Sequence, residues 1–219
     1  MYRGLIFDVD GTLVTLKVDR DKLHTRTMSE LNELGFDTTK LENSYRYTQD
    51  AIDWARAEVE SGRVKVDFRV VRSRLNHALD ELELEWNAQA EPIAGTTDVL
   101  VKLRSSSVRL ATLTNSGRAP SDWLLKKYGL HSYFDFTLTR DDVEAMKPRS
   151  DGMLKAIELM EFPKDELLYV GDSVIDVLAA KGAGLKIASV ITGRYTAERL
   201  RGEGSDYILD SLSGLVDLV

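Results

Sequence analysis

The sequence has no cysteine, which excludes disulfides and thiol chemistry but says little about compartment. Its three histidines, His24, His77 and His131, are scattered without metal-ligand spacing, so a zinc site is not expected. An excess of positive charge is also missing: 29 lysines and arginines face 36 aspartates and glutamates, a formal net charge of −7. Nucleic acid and anionic membrane surfaces would meet no overall attraction, and neither is expected as a partner. No apolar run approaches the roughly 18 residues that span a bilayer. Met1-Tyr2-Arg3-Gly4 leads straight into Leu5-Ile6-Phe7 with no signal-like apolar region or small-residue cleavage site. The expectation is a cytoplasmic protein. With 43% hydrophobic residues in 219, the chain can bury a sizeable core as one large domain or as a core carrying an insertion.

Short apolar runs ending in polar or small residues recur along the chain. Leu5-Ile6-Phe7 gives way to Asp8-Val9-Asp10-Gly11-Thr12. Residues 108–113 end at Thr114-Asn115-Ser116-Gly117, 134–138 at Thr139, 167–170 at Gly171-Asp172, and 187–191 at Thr192-Gly193. Helical patterns separate them at 95–105, 120–128, 150–160 and 174–182, the last expected to stop at Gly182 and Gly184. Strands alternating with helices predict a doubly wound parallel α/β sheet, whose ligands gather at the carboxyl ends of the strands. Residues 16–90 read differently. A helix over 21–34 is expected to stop at Gly35; Ile52, Ala55 and Val59 form one helical stripe, and Val71, Leu75, Ala78, Leu79 and Leu82 another. The expected organisation is therefore a core of 1–15 and 91–219 with an all-helical insertion at 16–90, its second crossing marked by Pro92 and Gly95.

Four aspartates, Asp8, Asp10, Asp172 and Asp176, fall at the ends of two expected strands. Unit charges about 4 Å apart repel by roughly 4 kcal/mol at an effective dielectric of 20, so such a cluster calls for a cation or a proton. Hard oxygen ligands with room for water and a phosphate suit Mg2+. An ionised aspartate can attack phosphorus, and a second carboxyl group can protonate the leaving oxygen and later activate water. Each motif alone has a plainer reading. Asp8 to Gly11 is equally an Asp-Gly turn. Thr114-Asn115 is ordinarily a turn or helix cap, Lys147 ordinarily solvated, and Asp172 with Asp176 an acidic helix start.

Taken in order, Asp8-x-Asp10-Gly11-Thr12, Thr114-Asn115, Lys147-Pro148 and Gly171-Asp172-x-x-x-Asp176 resemble the four motifs of the haloacid dehalogenase superfamily, most closely its phosphoglycolate phosphatase-like branch. The likeness spans about 8–195. It implies a Rossmann-like core with a helical cap inserted after the first motif, and a Mg2+-dependent phosphatase acting on small phosphate monoesters, phosphoglycolate-like or sugar phosphates, through an aspartyl-phosphate. It also implies Asp8 as nucleophile and metal ligand, and Asp10 as acid and base that lends its backbone carbonyl to the metal. Thr114 and Lys147 would bind the phosphoryl group with Asn115 beside them through its backbone amide. Asp172 would bind Mg2+ directly, and Asp176 directly or through water. Asp10 separates the chain from the dehalogenases, which lack the second aspartate. Val14-Thr15-Leu16-Lys17 stands where that branch commonly has Asp-Ser, which leaves the substrate open. A phosphomutase would use the same motifs; a signalling receiver or a non-catalytic module fits the insertion and the complete motif set less well. Within the insertion, Arg63, Lys65, Arg69, Arg72 and Arg74 read first as a solvated face, and more sharply as groups closing on an anionic leaving group. Tyr45, Tyr47 and Trp54 could line the same cleft, though packing is the commoner use of such residues.

Overall fold

The computed structural model describes residues 1–41 and 46–219; Tyr45 lies outside the described residues. The chain divides into two compact units, one of residues 1–16 with 89–219 and one of residues 17–88. The first is built on six parallel strands: β1 (Gly4–Phe7), β2 (Arg109–Leu113), β3 (Phe136–Leu138), β4 (Leu167–Gly171), β5 (Lys186–Val190) and β6 (Tyr207–Leu209). Their order is β3-β2-β1-β4-β5-β6, the order of a doubly wound Rossmann-like sheet. β1 is therefore central, with Ile6 opposite Ala111 of β2 on one side and Tyr169 of β4 on the other.

β1 is apolar at every position because both faces of the sheet are covered, as an interior parallel strand requires. Alternate residues feed two separate cores. Leu5 and Phe7, with Leu110, Leu168 and Val170, pack under α4 (Thr96–Ser105) and α5 (Arg118–Lys127). Ile6, with Leu113, Tyr169 and Ile187, packs under α6 (Asp151–Met160) and α7 (Val174–Ala183). The α7 pattern runs past Gly182, because a helical glycine only lowers propensity, and stops at Gly184 in the left-handed conformation, φ +68°. Sequence periodicity does not reveal the six-residue helix Ala197–Gly202 or the three-residue edge strand β6.

Within residues 17–88 the described elements are helical: α1 (Arg20–Glu33), α2 (Thr48–Glu60) and α3 (Phe68–Asn87), with a 3-10 turn at Thr38–Lys40. Val71, Leu75, Ala78, Leu79 and Leu82 are all buried, as their spacing requires, whereas Val59 is half-exposed and the neighbouring Glu58 is buried. Glu58 is held by two bonds from Arg63, Arg74 bonds Glu30 and Glu33, and Arg69 bonds Asp67. Three of the arginines that the sequence read first as a solvated face thus have carboxylate partners in their own unit. Trp54 packs on Phe36 with ring centroids 5.6 Å apart. No helix among the described residues is long and apolar enough to cross a membrane.

Candidate active site

The strand order reverses between β1 and β4, and a crevice for ligands is expected there, outside the strands' carboxyl ends. Asp8 follows β1 directly and its amide donates to Val170 O at 2.8 Å; Asp172 follows β4. Asp176 lies one turn into α7 on the same side. Asp8, Asp172 and Asp176 are all buried, and each has a carboxylate oxygen within 4.8 Å of the others. Lys147, from the loop before α6, places its ammonium among them, 2.7 Å from Asp8 Oδ1 and 2.7 Å from Asp176 Oδ1.

Three buried carboxylates against one ammonium leave this cluster short of positive charge, and its electrostatics follow. Burial pushes the Asp8 carboxyl well above the usual range; Lys147 opposes this, and Asp176, Asp172 and Asp10 add to it. Asp172 is pushed up to about 7 by burial and by Asp176. Burial disfavours the Lys147 ammonium, but Asp176 and Asp8 outweigh it and hold its pKa above the ordinary lysine value. An all-oxygen, buried, charge-deficient set fits a hard divalent cation such as Mg2+. Asp176 contributes to that fit indirectly. Its Oδ2 receives Ser173 N and Oγ, and its Oδ1 receives Lys147 Nζ and Tyr169 OH, so its four lone-pair directions are occupied.

The Asp10 carboxylate stands outside this cluster. Ser116 Oγ donates to Asp10 Oδ2 at 2.7 Å and Thr114 Oγ1 at 3.0 Å, while Ser116 N donates back to Thr114 Oγ1. Burial raises the Asp10 pKa, and the two hydroxyls, Lys147 and Arg140 moderate the rise. Its neighbour Gly11 turns the chain at φ +92°, a conformation that favours glycine, and a Cβ there would lie 2.6 Å from Asp172 Oδ2. Gly171 has the matching relation to Asp176, whose Cγ would lie 2.6 Å from an added Cβ. Thr192, at the end of β5, donates to Gly11 O at 2.6 Å, which ties the fifth strand's loop to the turn.

The residues singled out in the sequence therefore gather at one end of the sheet, where the Asn115 and Thr114 side chains take up partners within the protein. The Asn115 side chain grips the peptide of Lys147: Nδ2 donates to Lys147 O at 2.8 Å and Oδ1 accepts from Lys147 N at 2.9 Å. Thr114 spends its hydroxyl on Asp10. Three participants escaped the sequence reading. Ser116 sits beside the chosen Thr114-Asn115 pair. Arg140, 1% exposed, donates to Asn115 O at 3.0 Å but reads in sequence as one more surface charge. Tyr169, inside an apolar strand, reads as core. Its phenol contacts Lys147 and Asp176, and burial together with those nearby carboxylates raises its pKa far above the ordinary value, so it keeps its proton.

Comparison with known proteins is consistent along the chain. Residues 5–190 match the model of the haloacid dehalogenase-like hydrolases. The chain is 26% identical over 220 residues to pyrophosphatase PpaX of Bacillus mycoides, covering 98% of this chain and 95% of that one. It is 34% identical over 122 residues to a provisionally named pyrophosphatase PpaX of Caldanaerobacter subterraneus subsp. tengcongensis, a match spanning 56% of each. The fold is shared with the crystal structure of a provisionally named phosphoglycolate phosphatase from Lactobacillus delbrueckii subsp. bulgaricus. There the TM-score is 0.66 at 21% identity, over 99% of this chain and 98% of that one.

Proposed function

Because the chain belongs to the haloacid dehalogenase-like hydrolases, we propose that it is a Mg2+-dependent phosphatase of small phosphorylated metabolites working through an aspartyl-phosphate on Asp8. The observation that carries this reading is the convergence of Asp8, Asp172 and Asp176 on the Lys147 ammonium at the strand-order reversal. Asp8 and Asp172 would hold Mg2+ directly, with the backbone carbonyl of Asp10, and Asp176 through water. When bound, the ion offsets the repulsion between the carboxylates and a phosphate dianion.

Asp8 attacks phosphorus, the bond to the leaving oxygen breaks, and Asp10 delivers its proton to that oxygen. Asp10 then takes a proton from water as the water attacks the aspartyl-phosphate, the bond to Asp8 breaks, and inorganic phosphate is released. The raised pKa of Asp10 suits a group that must give up a proton and take one back. Lys147 neutralises charge on the transferring group, and Thr114 exchanges its bond to Asp10 for a phosphoryl oxygen when substrate enters. The names of the relatives add inorganic pyrophosphate to phosphoglycolate and hexose phosphates as substrates to test.

The purified chain should release phosphate from p-nitrophenyl phosphate only with Mg2+ present. A chelator should stop the reaction, and added Mg2+ should restore it. Metal-independent release, or none from any member of a panel holding these four substrates, would remove the proposal. Asp10→Asn should lower kcat by about 10²- to 10⁴-fold while Mg2+ half-saturation stays within a few-fold, because the general acid and base is lost but the buried carboxylate cluster is kept. Single-turnover rates would check this, and an unchanged kcat would rule out the assigned role.

A further inference from the structure

Tyr169 is fully buried on β4, in the layer of the sheet that packs under α6 and α7. It lies opposite Ile6 of β1, and its side chain crosses that strand to reach Leu113 O at the end of β2, 3.2 Å away. The same hydroxyl is 2.9 Å from Lys147 Nζ and 2.9 Å from Asp176 Oδ1. Lys147 Nζ also touches Asp176 Oδ1, at 2.7 Å, and Leu113 O, at 3.2 Å. The phenol's single proton and the ammonium's three N–H thus face the same two acceptors, and the phenol oxygen itself accepts from the ammonium, which makes a shared polar cluster on the sheet side of the lysine. The remaining contact of the ammonium, 2.7 Å to Asp8 Oδ1, lies outside that cluster.

An ammonium on a four-carbon stem has three rotatable donors and no preferred direction of its own. A buried phenol is costly unless its hydroxyl is bonded, so an apolar strand gains nothing from a tyrosine that a phenylalanine would not supply, except this hydroxyl. We propose that Tyr169 is a positioning residue: its hydroxyl backs the Lys147 ammonium against Leu113 O and Asp176 so that one N–H stays aimed at Asp8 and at a phosphoryl group arriving there. The inference rests on the phosphatase reading for its consequence in catalysis, but the placement of Lys147 can be tested without it.

Tyr169→Phe keeps the ring and the packing and removes only the bridge. It should lower kcat for p-nitrophenyl phosphate about tenfold with KM changed less than threefold, the signature of a donor that matters most as charge develops. In a crystal structure of the variant, Lys147 Nζ should have shifted toward the place of the missing hydroxyl, lengthening its 2.7 Å contact to Asp8 Oδ1. Tyr2→Phe is the control. It removes another hydroxyl bonded to a tyrosine, Tyr2 to Tyr207 at 3.0 Å, just before β1 and at the opposite end of the sheet, and should leave kcat unchanged. An inert wild-type protein would overturn the phosphatase reading alone. An unmoved Lys147 ammonium in the variant crystal would overturn the positioning role, as would an unchanged kcat or a loss matched by Tyr2→Phe.

Discussion

Asp8→Asn should abolish phosphate release, lowering turnover by about 10⁴-fold or more, while leaving the protein folded and, without Mg2+, at least as stable as the parent. The first half follows from chemistry, since a neutral amide oxygen does not attack phosphorus to give a stable acyl phosphate. The second follows from the cluster. Asp8 is buried among carboxylates that outnumber the ammonium beside it, and its charged form is disfavoured in the fold. An isosteric neutral group removes one of those repelling charges. Added Mg2+ should reverse the order of stability, because ligand binding stabilises the parent by RT ln(1 + [L]/Kd) and the variant has lost a ligand. Thermal unfolding with and without Mg2+, beside a single-turnover assay, reads both halves; residual turnover within tenfold of the parent would sink the nucleophile assignment.

Gly193→Ala should strike the same site from a residue that carries no chemistry. A Cβ on Gly193 would lie 1.8 Å from Asp172 Oδ2, far inside any contact a real Cβ makes. Gly193 does not adopt a positive φ, so an alanine is acceptable to the backbone and the conflict is purely with the carboxylate. Asp172 cannot retreat toward Gly11, where the chain already approaches that carboxylate closely. Because the obstructed atom is the far end of a side chain, folding is largely spared and the displacement falls on metal binding. Mg2+ affinity should drop by about 10- to 100-fold, with a small change in Tm. Calorimetric titration with Mg2+ measures it. An unchanged affinity would mean that the loop after β5 yields instead of Asp172.

The parts of the molecule that could be read in the sequence are those where one local signal suffices. β1, β2, β4 and β5 are apolar runs with polar ends, and the aspartates at those ends meet because a parallel sheet collects its strand termini on one edge. β6 was hidden because Tyr207-Ile208-Leu209 is three residues long and half-exposed at the sheet's margin, where periodicity has nothing to act on. Gly182 misled because glycine stops a helix only where the backbone turns left-handed, and that turn comes two residues later. In the site, the carboxylates and the lysine were legible by type. The roles of Tyr169, Arg140 and the Asn115 side chain were not, because each depends on partners brought from other strands and loops, and a burial-compatible residue carries no mark of whom it will meet.

Thr15 and Glu91 are stitched together by three hydrogen bonds, and Val14 bridges Pro92, so the core closes on itself where residues 17–88 leave and return. The entropy of closing so long a loop grows only logarithmically with its length, about 0.6 kcal/mol for each doubling. The core is therefore nearly indifferent to how much chain is spliced in at that seam. An excursion half or twice as long would tax it by about one ordinary hydrogen bond or less, which leaves the inserted segment free to change in size and sequence while the chemistry of the core stays the same.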